Sequence, residues 1–248
     1  MTAPKTCLID IVFPGDTNHH GTLFGGVGLA HMDKLAFITA GRYAHCDFVT
    51  ASCERIDFRA PCRLGDIVEL EGRIHRTGRR SLGVEVELVA EDPLSGERRS
   101  CATGIFNMVA VGTFDPPAKI TEHGDLPGML RVVDFVFPGS TSHYGSLYGG
   151  EALASMAKAA FVCATRHCRK AVVLASTRRI DFEDHIQPGE VMEITAFVET
   201  VGRSAMTIAV ELRAENLHTG VARRCGGGQF VMVAVNSDHR PVAADTAG

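Results

Sequence analysis

Asp33 stands in an apolar stretch, "VGLAHMDKLAFITAGRYA" (residues 27–44). At helical spacing its neighbours are Leu29, Ala30, Ala36 and Phe37, and none of them can form an ion pair with it. An unpaired carboxylate on an apolar helix is costly unless a site uses it. Its natural uses are as a general base towards water or as a nucleophile. An aspartate at the solvent edge of the helix, beside Lys34, is the plainer account, and the residue types leave both open. Just upstream stand Gly25 and Gly26. Free backbone N–H groups at a helix N-terminus can hold a developing oxyanion, and glycine allows close approach to the backbone. A tight turn into a crowded helix would use the same two glycines.

The chain writes this segment twice. "HMDKLAF" (residues 31–37) returns as "SMAKAAF" (residues 155–161), with Asp33 replaced by Ala157. "FPGDTNHHGTLFGG" (residues 13–26) likewise returns as "FPGSTSHYGSLYGG" (residues 137–150). The offset, 137 minus 13, is 124 positions, half the chain. It also carries Arg55-Ile56-Asp57-Phe58 onto Arg179-Ile180-Asp181-Phe182 and Gly78-Arg79 onto Gly202-Arg203. Roughly four in ten positions match over about a hundred without a gap, so this is a duplicated domain and not a solenoid unit. The domains are expected at residues 1–120 and 121–248. A linker is expected over about 112–130, where "GTFDPPAKITEHGDLPG" gathers prolines, glycines and charges.

Within one copy, Leu29, Met32, Ala36, Phe37 and Ala40 repeat at helical spacing, which predicts a largely buried helix. In residues 66–77, Val68, Leu70 and Ile74 alternate with Glu69, Glu71 and Arg73; in residues 80–92, Leu82, Val84, Val86 and Leu88 alternate with polar residues and Gly83. Both read as strands with one wet and one dry face. "DPLSGE" (residues 92–97) reads as a hairpin turn and residues 99–111 as a last strand. The economical packing is an α+β one, a curved antiparallel sheet wrapped around one long helix, built twice.

Composition narrows the function. Hydrophobic residues are 45% and charged residues 22% of 248, a globular balance. A net charge of −4 without a basic run speaks against nucleic acid as partner. No secretory leader and no membrane span are expected. The eight cysteines form no CxxC pair and no His/Cys cluster at zinc spacing, so no metal is expected; they read as reduced thiols of a cytoplasmic protein.

"DTNHHGTLFGGVGLAHMD" (residues 16–33), "VTASCERIDFRAPCRLGD" (residues 49–66) and "TGRRS" (residues 77–81) together resemble the hotdog-fold acyl-CoA thioesterases, in particular the bacterial broad-specificity cytosolic members. The tandem layout is similar to the double-hotdog acyl-CoA hydrolases of animals. The resemblance covers nearly the whole chain apart from its ends and linker. It implies hydrolysis of an acyl-CoA to free acid and CoA, with no cofactor besides the CoA carried by substrate and product. The thiolate of CoA leaves easily, so a carboxylate suffices without a full triad.

Carried over residue by residue, the resemblance makes Asp33 general base or nucleophile and the amide near Gly26 the group polarising the thioester carbonyl. Asn18 falls where relatives place a polar residue that positions substrate or water. In double hotdogs that loop comes from the opposite copy, so Asp33 would face Ser142 and Asn18 would face Ala157; turn chemistry is the other account of Asn18. Arg79 and Ser81, with Arg203 and Ser204, fit contacts to CoA, arginine suiting phosphate through its fixed fork of donors, though each could be a solvated hairpin residue. Gly25 and Gly150 complete the expected substrate contacts. His19 and His143 read as loop residues. The Ala157 cleft lacks its carboxylate and is expected to be inactive. Glu151, in the first helical turn, does not replace it. Two other readings stay open: a hotdog hydratase or dehydratase, to which Asp184 and His185 fit poorly, and a non-catalytic acyl-CoA-binding protein. By the same analogy the chain is expected to assemble as a homo-oligomer, a trimer of double hotdogs.

Overall fold

The computed structural model describes residues 6–54, 56–114, 128–141 and 145–244. The expected boundary near residue 120, most of the linker, Ser142 and His143 lie outside them. The first copy runs β1 (Thr6–Ile11), α1 (Gly25–Ala44), β2 (Asp47–Cys53), β3 (Asp57–Phe58), β4 (Ile67–Thr77), β5 (Ser81–Glu91) and β6 (Arg98–Val111). The second runs β7 (Leu130–Phe135), α2 (Gly149–Cys168), β8 (Ala171–Phe182), β9 (Glu190–Val201), β10 (Ala205–Asn216) and β11 (Ala222–Val235). The sheets have orders β1-β4-β5-β6-β2, with β3 on β6, and β7-β9-β10-β11-β8, paired antiparallel throughout. This is the tandem hotdog arrangement.

Each helix lies across its own sheet. α1 buries Met32, Leu35, Ala36, Ile38 and Ala40 against Leu70, Leu82, Leu88 and Met108; α2 buries Met156, Ala160 and Val162 against Met206, Ile208, Leu212 and Met232. A fully buried leucine or methionine contributes about 2 kcal/mol of transfer energy, so these layers hold the helices in place. The expected burial fails at two residues. Leu29 is exposed and Phe37 only half-buried, because the sheet covers one side of α1 and leaves the stripe Gly26–Leu29–Ala30–Asp33 uncovered. The wet face of β4 is also not wholly wet: Glu69 is buried, covered from the other copy by Arg166.

β1 and β7, the inner edges of the two sheets, carry the seam between the copies, and its ion pairs obey the 124-residue offset. Lys34 Nζ donates to Asp134 Oδ1 at 2.9 Å, and Lys158 Nζ to Asp10 Oδ1 at 2.6 Å. Arg42 pairs with Glu193 and Glu215; Arg166 pairs with Glu69 and Glu91. The cores interlock too, Leu217 packing into the first and Ile67 into the second. Each helix ends on a left-handed residue, His45 (φ 51°) or Arg169 (φ 52°). Such a conformation normally favours glycine, and here each side chain is held across the seam. His45 Nδ1 lies 2.9 Å from the Leu217 carbonyl oxygen, and Arg169 Nη1 donates to Glu91 Oε1 at 2.6 Å.

Candidate active site

Asp33 lies in the middle of α1 on its uncovered stripe, half-buried. Its sequence neighbour Lys34 does not hold it, because Lys34 is committed to Asp134 across the seam. What reaches Asp33 is Thr50 on β2, whose hydroxyl donates to Asp33 Oδ1 at 2.6 Å and also lies 3.5 Å from Met108 Sδ. The pairing of β2 with β6 explains the aim. Thr50 pairs with Met108 and Ser52 with Asn107, which leaves Ala51 as an extra residue, and such a bulge turns the strand locally and re-aims its side chains. Thr50 was not singled out from the sequence. The signal was available: the offset places Leu174 opposite it, so carboxylate and hydroxyl disappear from the second copy together.

The entry to the helix is built alike in both copies. Phe24 and Tyr148 are extended N-cap residues without a side-chain cap. Val27 N–H donates to the Phe24 carbonyl and Glu151 N–H to that of Tyr148, both at 2.9 Å. The amides of Gly25 and Gly26 have no backbone acceptor among the described residues, as expected for the first turn of a helix. Glycine at 26 also has a packing reason. A Cβ there would come within 2.6 Å of the Phe24 ring, and one at Gly150 within 2.5 Å of the Tyr148 ring. Each ring folds back over the second glycine and closes the space a side chain would need.

Asn18 is engaged in its own turn. Its Oδ1 accepts from His20 N–H at 2.9 Å and its Nδ2 donates to Thr22 Oγ1 at 3.0 Å. That is the turn chemistry weighed from its residue type. Ser142 is outside the described residues, but the segment leading to it is placed. Phe137, at the head of that loop, stacks edge-on on Phe135 at 4.8 Å, and Phe135 on Phe37 at 4.9 Å. Phe37 is one turn beyond Asp33 on α1, so the second copy's loop starts beside the first copy's helix.

Arg79 and Arg203 are exposed and make no ion pair among the described residues. The structure does not bring Arg79 and Ser81 to Asp33. Thr50 pairs with Met108, Met108 with Leu82 and Leu82 with Thr77, so the Arg79 hairpin, which joins β5 to β4, lies two to three strands away, about 10–14 Å. The two hairpins are also not fully equivalent. Ser81 pairs with Val109 and Ala205 with Val233, so Ser81 corresponds to Ala205, and Ser204 corresponds to Arg80.

A cavity of about 40 Å³ at the seam, lined by Leu8, Asp10, Leu130, Ser155, Lys158 and Ala159 among others, has room for a few waters and is far below the size of a ligand pocket. The candidate site is therefore the open face bearing Asp33, flanked by the exposed side chains of Phe24, Leu29 and Phe58. Asp184, the acid of the hydratase reading, is exposed and tied to Arg223 Nε at 2.7 Å, which holds its carboxyl below the usual range. Among the described residues no group of three or more His, Cys, Asp or Glu could hold a metal, and no helix is long and apolar enough to cross a membrane.

Comparison with known proteins points the same way. The thioesterase superfamily profile matches residues 20–97 and 144–221. The chain is similar to a crystal structure of an acyl-CoA hydrolase from Agrobacterium tumefaciens, with 51% identity, a TM-score of 0.88, and coverage of 98% of this chain and 99% of that one. It is 38% identical over 109 residues to the uncharacterized acyl-CoA thioester hydrolase YkhA of Bacillus subtilis (strain 168), covering 44% of this chain and 63% of that protein. It is 25% identical over 280 residues to acyl-coenzyme A thioesterase 11 of Mus musculus, covering 93% of this chain and 47% of that protein. The chain thus spans between about half and two-thirds of the length of these two relatives.

Proposed function

The chain belongs to the thioesterase superfamily, and on that premise we propose that it hydrolyses acyl-CoA thioesters to free acid and CoA, using Asp33. The observation that carries this reading is the Asp33 carboxylate, held at 2.6 Å by the Thr50 hydroxyl on an otherwise apolar, uncovered helical face. Thr50 fixes one carboxylate oxygen and leaves the other free to act. The similarity to an acyl-CoA hydrolase along 98% of the chain supports the substrate class.

Asp33 acts as general base through a water. Seven residues of α1 separate it from Gly26, about 10 Å of helix. That is a backbone span, along which the Asp33 side chain leans back towards Gly26. It matches a carbonyl, a water and a carboxylate in series, each a hydrogen bond or near-contact apart. Gly25 and Gly26 let the thioester approach the helix N-terminus, where their unpaired amides meet the developing oxyanion. Gly150 offers the same surface in the second copy. Asn18 shapes the loop before the helix, and the Phe37–Phe135–Phe137 stack brings the start of the second copy's loop beside the helix of Asp33, which supports a contribution from that loop, the one whose expected polar residue, Ser142, lies outside the described residues. Arg79, with Ser81, meets the phosphate end of CoA, because a hairpin two to three strands, about 10–14 Å, from Thr50 is within reach of the pantetheine arm and not of the thioester; Arg203, with Ser204, takes the same part on the second copy.

The open face suits a homo-oligomer. β2 and β8 are outer edge strands exposed along most of their length, and unpaired edges of that kind are normally covered. We read the assembly as a trimer of double hotdogs. The domains divide near residue 120, and eight free thiols fit the cytoplasm. The test is thiol release from acyl-CoAs of short, medium and long chain. Release by the intact chain with loss in Asp33→Asn supports the reading; silence across the panel with CoA still bound makes the protein a binding module instead.

A further inference from the structure

The second cleft has lost its chemistry at two points and kept its surface. Asp33 becomes Ala157 and Thr50 becomes Leu174, at equivalent places: β8 pairs with β11 through the same bulge, with Leu174 opposite Met232, Ser176 opposite Val231, and Ala175 extra. The pair that would hold and activate a water is replaced by a methyl group and an isobutyl group, and Leu174 is 47% exposed. Yet the apolar side chains around it persist and stay open. Tyr148 is 59% exposed against 56% for Phe24, and Leu153 and Leu29 are both 38% exposed. Phe182 is exposed like its counterpart Phe58, though it does not reach Gly149 as Phe58 reaches Gly25, and the Tyr148 ring still folds over the second glycine of the helix.

The same apolar side chains, at the same offset and nearly the same exposure, flank Asp33 in the first cleft, so a surface that receives an acyl chain there is available to receive one here, and contiguous exposed apolar groups mark binding sites. The substitution of a hydroxyl by leucine makes this surface more apolar, not less. Glu151, where the first copy has Val27, lies on the first turn of α2 and exposed, six residues before Ala157 and so on another side of the helix; it supplies no substitute base to the Ala157 position.

From these observations we infer that the Ala157 cleft binds the acyl-CoA thioester and does not hydrolyse it, so that each chain carries one hydrolytic and one purely binding site for the same ligand. The inference rests on the reading of Asp33 as the base of the first cleft. The ligand enters the second cleft with its acyl chain against Leu153 and Leu174, and no bond is made or broken there.

Isothermal titration of the Asp33→Asn chain with a non-hydrolysable S-alkyl thioether analogue of an acyl-CoA tests this. Two ligands per chain are expected, falling to one when Ala154→Trp, on the exposed face of α2, fills the second cleft. One ligand per chain in Asp33→Asn overturns the inference. So do two ligands still bound after Ala154→Trp is added, with a smaller assembly in analytical ultracentrifugation; that result assigns the face to packing between copies of the chain. Thiol release reads the other claim separately: wild-type turnover in Asp33→Asn sinks the hydrolytic reading whatever the stoichiometry, and lost turnover with one ligand bound leaves that reading standing and removes only the second site.

Discussion

The seam and the clefts of this protein have diverged to different degrees since the duplication. Along the seam the offset relates cation to cation and acid to acid: Lys34–Asp134 answers Lys158–Asp10, and Arg42–Glu193 answers Arg166–Glu69. In the clefts the backbone keeps the same bulge, but the hydrogen-bonded pair Asp33 with Thr50 has no counterpart. Packing two copies face to face requires both halves of every reciprocal contact, since breaking one leaves a charge unpaired in the interface. Chemistry requires only one competent site, so the second can lose its polar pair without harm to the fold. The seam itself is not perfectly even. Glu91 gathers Arg98, Arg166 and Arg169, whereas its counterpart Glu215 pairs with Arg42.

Making the first cleft a copy of the second should have the largest effect. Asp33→Ala with Thr50→Leu should lower kcat for thiol release on the order of 1,000-fold, the usual worth of a positioned base, while far-ultraviolet circular dichroism stays unchanged. Removing only the support should cost less. Thr50→Val keeps the shape but not the hydroxyl, and kcat should fall about tenfold with KM little altered, since one hydrogen bond to a charged group is worth about 1.5–3 kcal/mol, of which turnover senses part. Full activity in Thr50→Val would break the link between the bulge and the carboxylate.

The seam offers a matched pair of smaller effects. Glu91→Gln should destabilise the chain by about 2 kcal/mol in chemical unfolding, and Glu215→Gln by about half that, because fewer arginines lose a charged partner. Acid should act on the same contacts. Burial pushes the Glu69 carboxyl up, but hydrogen bonds from Arg98 and Arg166 outweigh it, and the net result is below the ordinary 4.5. Glu91 is likewise lowered: burial raises it, and Arg169 and Arg166 reverse the sign. A lowered carboxyl stabilises the fold fully above the unfolded value and loses that contribution as pH falls through the folded one. Unfolding midpoints should therefore hold from pH 7 to about 5 and drop below about 4.5, less steeply in Glu91→Gln. The smallest effect on stability is expected at Asn18→Ala, about 0.5 kcal/mol from the turn, with less than a tenfold change in kcat.

The duplication, the long helices and the strands with alternating faces were legible because periodicity and the 124-residue offset report them directly. Glu69 was misread as solvated because Arg166, which covers it, lies 97 positions away on the other copy, and nothing local records that approach. β1 was not read as a strand for a related reason: its place at the seam is set by partners from β4 and the other copy. Asp33 could be singled out because no neighbour accounts for it. Thr50 was missed because a threonine in a strand is unremarkable until a bulge aims it at a carboxylate, although its replacement by Leu174 at the 124-residue offset was there to be read. Ser81 and Ser204 are not equivalent, as the 124-residue offset, which carries Ser81 onto Ala205, already shows and the strand register confirms.

The central claim is that hydrolysis in this two-cleft chain runs through Asp33. Thiol release by Asp33→Asn, measured with the best acyl-CoA of the panel alongside CoA affinity by titration, tests it most directly. The account predicts a loss of at least about 100-fold in kcat with CoA affinity within threefold of the unaltered chain. Turnover within threefold of the unaltered chain would contradict it.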